Sequence, residues 1–449
     1  MSAHPERVLS TLNEDGTRRW LSPRLARGRF LRRRQVVGYG LIALFVVLPF
    51  VKIGGRPALL LDLVTRELSV FGMVFRPTDG FILMLLGLSI VVAVFLVTAL
   101  FGRVWCGWGC PQTVYLELVF RPIERRLERT KLPARAAIRW TIYGAISIVL
   151  ANVFLAYFVG VERLGQWMLG SPFDHPGGFA VVIAVAALVL FDFGYFREQT
   201  CIVACPYGRL QSVLLDKQSL IVGYDTRRGE PRAKPKKNLP VLGERGDCVD
   251  CSACVQVCPT GIDIREGLQM ECIGCAQCID ACDTVMDKLR KPRGLIAYTS
   301  KDQLAGKARR ILRPRTLIYP ALLVVCTSLL VWSVGSRATT VVSIGRVAGP
   351  SFVELPDGKI ASAVRLKLEN ESDEPRHYTI AVRGTDAVLR SQARWEVKPR
   401  RALDIPLYID VPRTSFVHGQ RMLELEIVDG DDFHRVVTVT LLGPEGALP

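Results

Sequence analysis

Eight cysteines fall within 35 residues of this 449-residue chain. Cys248, Cys251, Cys254 and Cys258 read C-x2-C-x2-C-x3-C-P, and Cys272, Cys275, Cys278 and Cys282 repeat the spacing with Asp283 in place of the proline. This is the pattern of two 4Fe–4S clusters, in which three closely spaced thiolates wrap one cubane and the distant fourth completes the other. The spacing therefore assigns Cys248, Cys251, Cys254 and Cys282 to one cluster, and Cys258, Cys272, Cys275 and Cys278 to the second. A zinc site or a disulfide framework needs no doubled three-plus-one arrangement. A segment built this way carries electrons, but the cysteines name neither their source nor their destination.

The rest of the chain is set by a membrane. Half of its residues are hydrophobic (49%), yet its formal charge is +16. Five apolar runs, at about 36–53, 81–101, 138–159, 179–196 and 317–334, approach the roughly 20 residues a helix needs to cross a bilayer. None carries a charge near its centre, and Asp192 falls in the last turn of the fourth, where it reads as an interfacial residue. Residues 1–35 hold nine Arg, and residues 102–137 hold seven basic residues. The loop 54–80 has three, offset by acids, and 160–178 has only Arg163. Positive-inside counting then puts the N-terminus and the cysteine block in the cytoplasm and residues 335–449 outside, in a bacterial inner membrane. The same rule accounts for the positive charge and leaves no role for nucleic acid. Arg18 and Arg19 resemble a twin-arginine signal, but no small-residue cleavage site follows the first apolar run, which reads as a retained anchor.

Four further cysteines form two pairs. Cys106–Pro111 and Cys201–Pro206 both read C-x3-C-P, and each follows an apolar run at its cytoplasmic end. This looks like a duplicated unit. On a continuous helix, cysteines four apart share a face. If the chain breaks instead, Pro111 and Pro206 suit the first position of a new helix, and Cys110 and Cys205 sit at its N-terminus, where thiolate is favoured. In either case Cys106, Cys110, Cys201 and Cys205 can converge at the inner membrane surface. Four soft sulfurs suit Cu(I), Zn(II) or an iron–sulfur cluster. Cys326, alone in the fifth apolar run, reads as a packing residue.

The remaining divisions follow composition. Residues 1–35 are a basic cytoplasmic segment, 36–222 a transmembrane domain, 223–246 a Gly-, Pro- and charge-rich linker, and 247–300 the ferredoxin-type domain. Within that domain Gly261 and Gly274 are candidates to aim N–H groups at cluster sulfurs. After the fifth span, residues 335–449 show short alternating runs separated by turn signals such as Pro356-Asp357-Gly358. They predict a small immunoglobulin-like β-sandwich, read as a partner-binding module. His377, His418 and His434 are scattered in it and read as surface residues. No span contains a His, there is no C-x-x-C-H, and there is no G-x-G-x-x-G after a strand. The expected fold is thus a multi-domain membrane protein, with five transmembrane helices, an inserted two-cluster ferredoxin-like domain and a C-terminal periplasmic β-sandwich. Its electrons must come from a protein or quinol donor.

These residues together resemble a family. Cys106-Gly107-Trp108-Gly109-Cys110-Pro111, Tyr224-Asp225, Arg228-Gly229-Glu230-Pro231-Arg232, Cys258-Pro259-Thr260-Gly261-Ile262-Asp263-Ile264-Arg265, Cys272-Ile273-Gly274-Cys275 and Gly294-Leu295-Ile296 are similar to the CcoG/FixG/RdxA proteins, accessory factors of cbb3-type cytochrome oxidase. The resemblance runs from about residue 30 to the end. It implies a cupric reductase, in which cluster electrons reduce Cu(II) and the Cu(I) passes to copper chaperones or oxidase assembly factors. Cys106, Cys110, Cys201 and Cys205 are then the candidate copper-handling thiolates. Two other readings stand beside it: a polyferredoxin relay from quinol to another complex, and a non-enzymatic assembly scaffold. Whether the chain forms a homodimer stays open.

Overall fold

Each apolar run becomes a helix of bilayer length, because an uninterrupted run of about 20 residues satisfies its own backbone groups within hydrocarbon. The computed structural model describes residues 10–444 apart from 14, 131–132, 233–245, 309, 311, 337–339, 348–349, 351, 373, 385, 400 and 431–432, and only the backbone of 78, 209, 212 and 213. Its five candidate spans are Arg29–Phe50, Gly80–Phe101, Arg135–Val159, Pro176–Phe196 and Pro314–Gly335. The first starts earlier than hydropathy predicts. Its opening turn is capped from afar: the Asp280 carboxylate accepts the backbone N–H groups of Phe30 (3.1 Å) and Leu31 (2.8 Å). A carboxylate at a helix N-terminus is favoured by the macrodipole. Gly28 makes room for it, since a Cβ there would lie 2.3 Å from Asp280 Cγ.

The segment between the first two spans is more than a loop. Leu59–Asp62, Glu67–Val70 and Met73–Phe75 form a three-stranded antiparallel sheet. Asp62 holds its first turn by accepting from the N–H groups of Val64 and Thr65, and it pairs with Arg163 at 3.2 Å. Strands of three or four residues are too short for alternation to stand out.

The cysteine block is closed by a strand pair that the sequence reading split. Ile221–Tyr224 runs antiparallel to Ile296–Thr299, pairing Val222 with Tyr298 and Tyr224 with Ile296. All four residues of the first strand are buried. The expected linker from 223 therefore begins inside a strand, and Asp225 then caps the short helix Thr226–Gly229. Four residues, one of them Gly223, give no periodic signal. They are fixed by packing on Cys254, Ile262, Ile279 and Met286. The basic run Lys234, Lys236 and Lys237 lies outside the described residues.

Residues 332–449 form a separate compact unit. One sheet orders Val388–Leu389, Ala402–Pro412, Lys359–Asn370 and Thr340–Arg346, with Phe352–Glu354 also on Lys359–Asn370. The other orders Arg394–Val397, Arg376–Arg383, Gln420–Asp429 and Phe433–Leu442. Alternate residues face inward, as a strand's period of two requires: Ile405, Leu407, Ile409 and Val411 meet Leu366, Leu368, Ile380, Leu425 and Ile427 in one core. This is the expected sandwich. Thr340–Arg346, Val388–Leu389 and Arg394–Val397 leave little trace in the sequence. The last two have four residues or fewer, and the first follows the fifth span with no turn signal to mark it.

Candidate electron-transfer site

The doubled cysteine spacing is also a doubled backbone. In the first copy Asp250 and Ser252 take positive φ (+48° and +55°), and in the second Gly274 and Ala276 do (+67° and +60°). These left-handed residues sit at matching offsets around Cys251 and Cys275, so each C-x2-C-x2-C curls around one point. Cys248, Cys251, Cys254 and Cys282 border one cavity with about 360 Å³ of atom-free space. Cys258, Cys272, Cys275 and Cys278 border a second of about 350 Å³, and Cys254 touches both. The quartets are those the three-plus-one spacing gives.

The donor set fits iron–sulfur clusters. Burial pushes the thiols of Cys254 and Cys282 up to about 12 and those of Cys272 and Cys275 up to about 11. Each therefore gives up a proton when iron takes its place. The N–H of Gly274 serves the Cys272 sulfur and that of Gln277 serves Cys275. Gly261 does not act as expected, because its N–H donates to the Cys258 carbonyl at 3.2 Å. Asp283 replaces the usual proline for a structural reason. Cys282 lies inside the helix Gln277–Lys288, where proline would remove a hydrogen bond. Asp283 instead accepts from the N–H of Gly294 (3.1 Å) and faces Arg29 at 3.5 Å.

The two C-x3-C-P pairs repeat more closely than their letters show. The spans end at Phe101 and Phe196, and the next residues, Gly102 and Arg197, share one conformation (φ +58°, ψ −128° and φ +55°, ψ −122°). The first cysteine follows four residues later in both copies. The second, Cys110 or Cys205, donates its N–H five residues back, to Trp105 O or Thr200 O, then caps a helix that opens on Pro111 or Pro206. The chain therefore breaks rather than running as one helix. The copies also reach across to each other. Gln112, two residues after Cys110, donates to Asp192 in the fourth span (3.2 Å), and Tyr207, two after Cys205, bonds Thr98 in the second (3.1 Å).

This exchange gathers all four thiols. Cys106, Cys110 and Cys205 each bear electrostatically on Cys201, as does Asp192. Burial pushes Cys106 up to about 12 and raises Cys201. Cys106 Sγ meets Gln211 Oε1 at 3.2 Å. At Cys110 the helix N-terminus acts as expected, with the N–H groups of Gln112 and Thr113 lowering its pKa, but burial outweighs them and the net shift is upward. Among the described residues, no three His, Cys, Asp or Glu side chains stand at the spacing of a single metal ion. This holds for the thiol pairs and the quartets alike. The four thiols are neighbours rather than a closed mononuclear site.

Sequence reading missed two parts of this neighbourhood. Asp192, taken as interfacial, ties Gln112 and Thr200 to the thiol pairs. Arg121 and Arg125, counted only as loop charge, belong to an ion network: Arg121 is 2% exposed and bonds Glu117 and Glu198, the latter at 3.0 Å. Glu124 holds Arg197 at 2.8 Å, which keeps a non-glycine residue in its left-handed turn. Glu117 and Arg121, four apart, were the available signal. Removing one partner of a buried pair strands the other, so Arg121→Met should destabilise the protein by about 3–5 kcal/mol. Thermal unfolding of the detergent-solubilised chain measures this, and an unchanged midpoint would contradict it.

The second quartet is seated directly on the first thiol pair. A Cβ on Gly107 would lie 2.7 Å from Cys275 Cα and 2.8 Å from Cys275 N, so the C-x3-C-P turn touches the Cys272–Cys275 loop through backbone. Trp108 Nε1 donates to Tyr298 Oη (2.9 Å), which donates to Gly274 O (2.6 Å). Arg103 donates to the carbonyl oxygens of Met270, Cys272 and Gly208, joining both cysteine pairs' segments to the quartet.

Five spans, two ferredoxin-type quartets and a β-sandwich define a membrane-bound iron–sulfur electron-transfer protein. Residues 196–301 match the 4Fe-4S dicluster domain, residues 83–130 a 4Fe-4S binding domain, and residues 330–444 the IG-like fold at the C-terminus of FixG. The chain is 33% identical to Protein RdxA of Cereibacter sphaeroides, over 80% of this chain and 81% of that one. It is 34% identical to Protein RdxB of the same organism over 80% and 81%. It is 31% identical to the nitrogen fixation protein FixG of Rhizobium meliloti over 94% and 92%. The chain belongs to the CcoG/FixG/RdxA family.

Proposed function

We propose that this chain is a cupric reductase: single electrons from its iron–sulfur centres reduce Cu(II) at Cys106, Cys110, Cys201 and Cys205, and the Cu(I) serves assembly of a cbb3-type oxidase. The observation that carries this reading is the backbone contact of Gly107 with Cys275, which leaves no intervening residue between the electron-carrying loop and the thiols. The two quartets hold the 4Fe–4S clusters, which supply one-electron chemistry. Thiolate sulfur prefers Cu(I) to Cu(II), so the quartet of thiols favours the reduced product. Because burial pushes the Cys106 thiol up to about 12, copper binding there releases a proton, and apparent Cu(I) affinity rises with pH.

A second reading has its own support. Residues 83–130, which contain Cys106 and Cys110, match a 4Fe-4S binding domain, and four thiols also suit a further cluster in a relay. One experiment separates the two. Purified protein with reduced clusters is mixed with Cu(II), and Cu(I) is followed with a chromogenic chelator. The reductase exceeds a free-ferredoxin control. A relay does not, and holds iron in excess of eight atoms per chain.

Positive-inside charge supports an orientation with the clusters in the cytoplasm of a bacterial inner membrane and residues 335–449 outside. A reporter fused after Gly335 is then active only outside, and cytoplasmic activity would overturn the orientation. The β-sandwich, free of Cys, is proposed as the module that docks a copper chaperone or oxidase assembly partner.

A further inference from the structure

The two quartets face different charge. Arg265 borders the cavity of the Cys248 quartet, but its guanidinium is paired, 2.5 Å from Asp250 and 2.6 Å from Asp263. Asp247, beside Cys248, is met by Arg228 and by Lys291 at 3.0 Å. Asp283 follows Cys282, bears on its thiol, and faces Arg29. Positive and negative groups alternate here, and Cys251 is exposed to solvent.

Two guanidiniums stand over the Cys272 quartet without a carboxylate. Arg34 is 1% exposed and donates Nε to Gly107 O at 2.5 Å. Its charge is the largest influence on the Cys275 thiol after burial. Arg103 holds the carbonyls of Met270 and Cys272 and bears on Cys272 more strongly than the opposing Glu271 does. Among the described residues neither forms an ion pair. Arg34 Nη2 and Arg103 Nε are also buried with no protein acceptor, the kind of donor that sulfur of an iron–sulfur centre accepts.

Resting on the reading that the clusters feed Cys106 and its partners, we infer that electrons leave through the Cys258–Cys272–Cys275–Cys278 site, and that Arg34 and Arg103 hold its potential above that of the Cys248 site. Reduction adds one negative charge to a site. A buried, unpaired cation a few ångströms away stabilises that charge far more than a neutralised one does. One electron leaves the Cys248 site, which is oxidised by one, and enters the Cys272 site, which is reduced by one. No proton moves. The reductant is a one-electron donor protein reaching the exposed Cys251 side, and the final oxidant is Cu(II). Arg34 also holds the carbonyl of Gly107, so the cation lies at the junction the electron must cross. Both arginines are positioning residues, since their effect acts through the centre they face.

The test is a redox titration of the full-length, cluster-loaded protein in detergent, followed by electron paramagnetic resonance with no copper present. Arg34→Gln and Arg103→Gln should each move only the more positive of the two waves, downward. The expected size is about a tenfold loss in the equilibrium constant for transfer between sites, or about 59 mV for one electron. Arg34→Lys should restore most of the shift, and Arg265→Gln should move only the more negative wave. If Arg34→Gln does not fold, Arg103→Gln carries the same test. The inference is overturned if neither glutamine variant moves a wave, or if either moves the more negative one. Because copper is absent, a failed Cu(II) reduction assay leaves these outcomes intact and removes only the proposed acceptor.

Discussion

With Cys106, Cys110, Cys201 and Cys205 all changed to Ser, Cu(II) reduction should fall to the free-ferredoxin level while the iron content and the spectra of both quartets stay unchanged. Serine keeps the size of the side chain but replaces a soft sulfur with a hard hydroxyl oxygen that does not ionise near neutral pH. Losing an outer-shell partner of a metal typically costs about 10–100-fold, and losing the ligands themselves should cost more. Within the set, Cys106→Ser should be the most damaging single change. Cys106 lies beside Gly107, where the ferredoxin-type loop makes contact, and its thiol is electrostatically coupled to Cys110, Cys205 and Cys272. A quadruple variant as fast as the parent would remove these thiols from the reaction and leave the rest of the electron path standing.

The second large effect belongs to a residue with no side chain. Gly107→Ala should leave the clusters loaded and the thiols present, yet slow Cu(II) reduction by on the order of 100-fold, the penalty that a displacement of about 1 Å brings to a reacting geometry. The added Cβ would meet Cys275 Cα, Cys275 N and Ile273 O at 2.7–2.8 Å, all of them backbone atoms that cannot swing aside. The C-x3-C-P turn and the quartet must then separate. Rapid-mixing kinetics can measure this directly. Reduction of the clusters by dithionite should keep its parental rate, and only their reoxidation by Cu(II) should slow. Equal slowing of both steps would mean that Gly107 serves folding rather than transfer.

The sequence revealed whatever rests on local spacing. Eight cysteines at fixed intervals gave the two quartets, and hydropathy gave the spans, because a thiolate ligand and a bilayer each impose a repeat on the chain itself. Features joining distant residues were not readable. Asp192 looks interfacial until Gln112 and Thr200 approach it from separate elements. Arg34 looks like one of many basic residues before a span, and only its burial against Gly107 sets it apart. The strand Ile221–Tyr224 shows no alternation because both its faces are covered. The thiol pairs lie between these cases. Their letters suggested a duplication, but the matching turns at Gly102 and Arg197 could not be read, since arginine rarely adopts a conformation that suits glycine.

The cap on the first span joins two events that are far apart in the life of the chain. The ribosome makes Leu31 some 249 residues before the Asp280 that holds its N–H. Until Asp280 has been made, the first turn of the anchor helix lacks this cap. It is completed only when the helix Gln277–Lys288 has folded, and that helix also carries Cys278 and Cys282. By thermodynamic linkage, whatever free energy iron lends to that helix is shared with the start of the anchor, and the reverse holds equally. Whatever weakens the packing of that helix therefore also weakens the start of the anchor, although 249 residues separate the two in the chain.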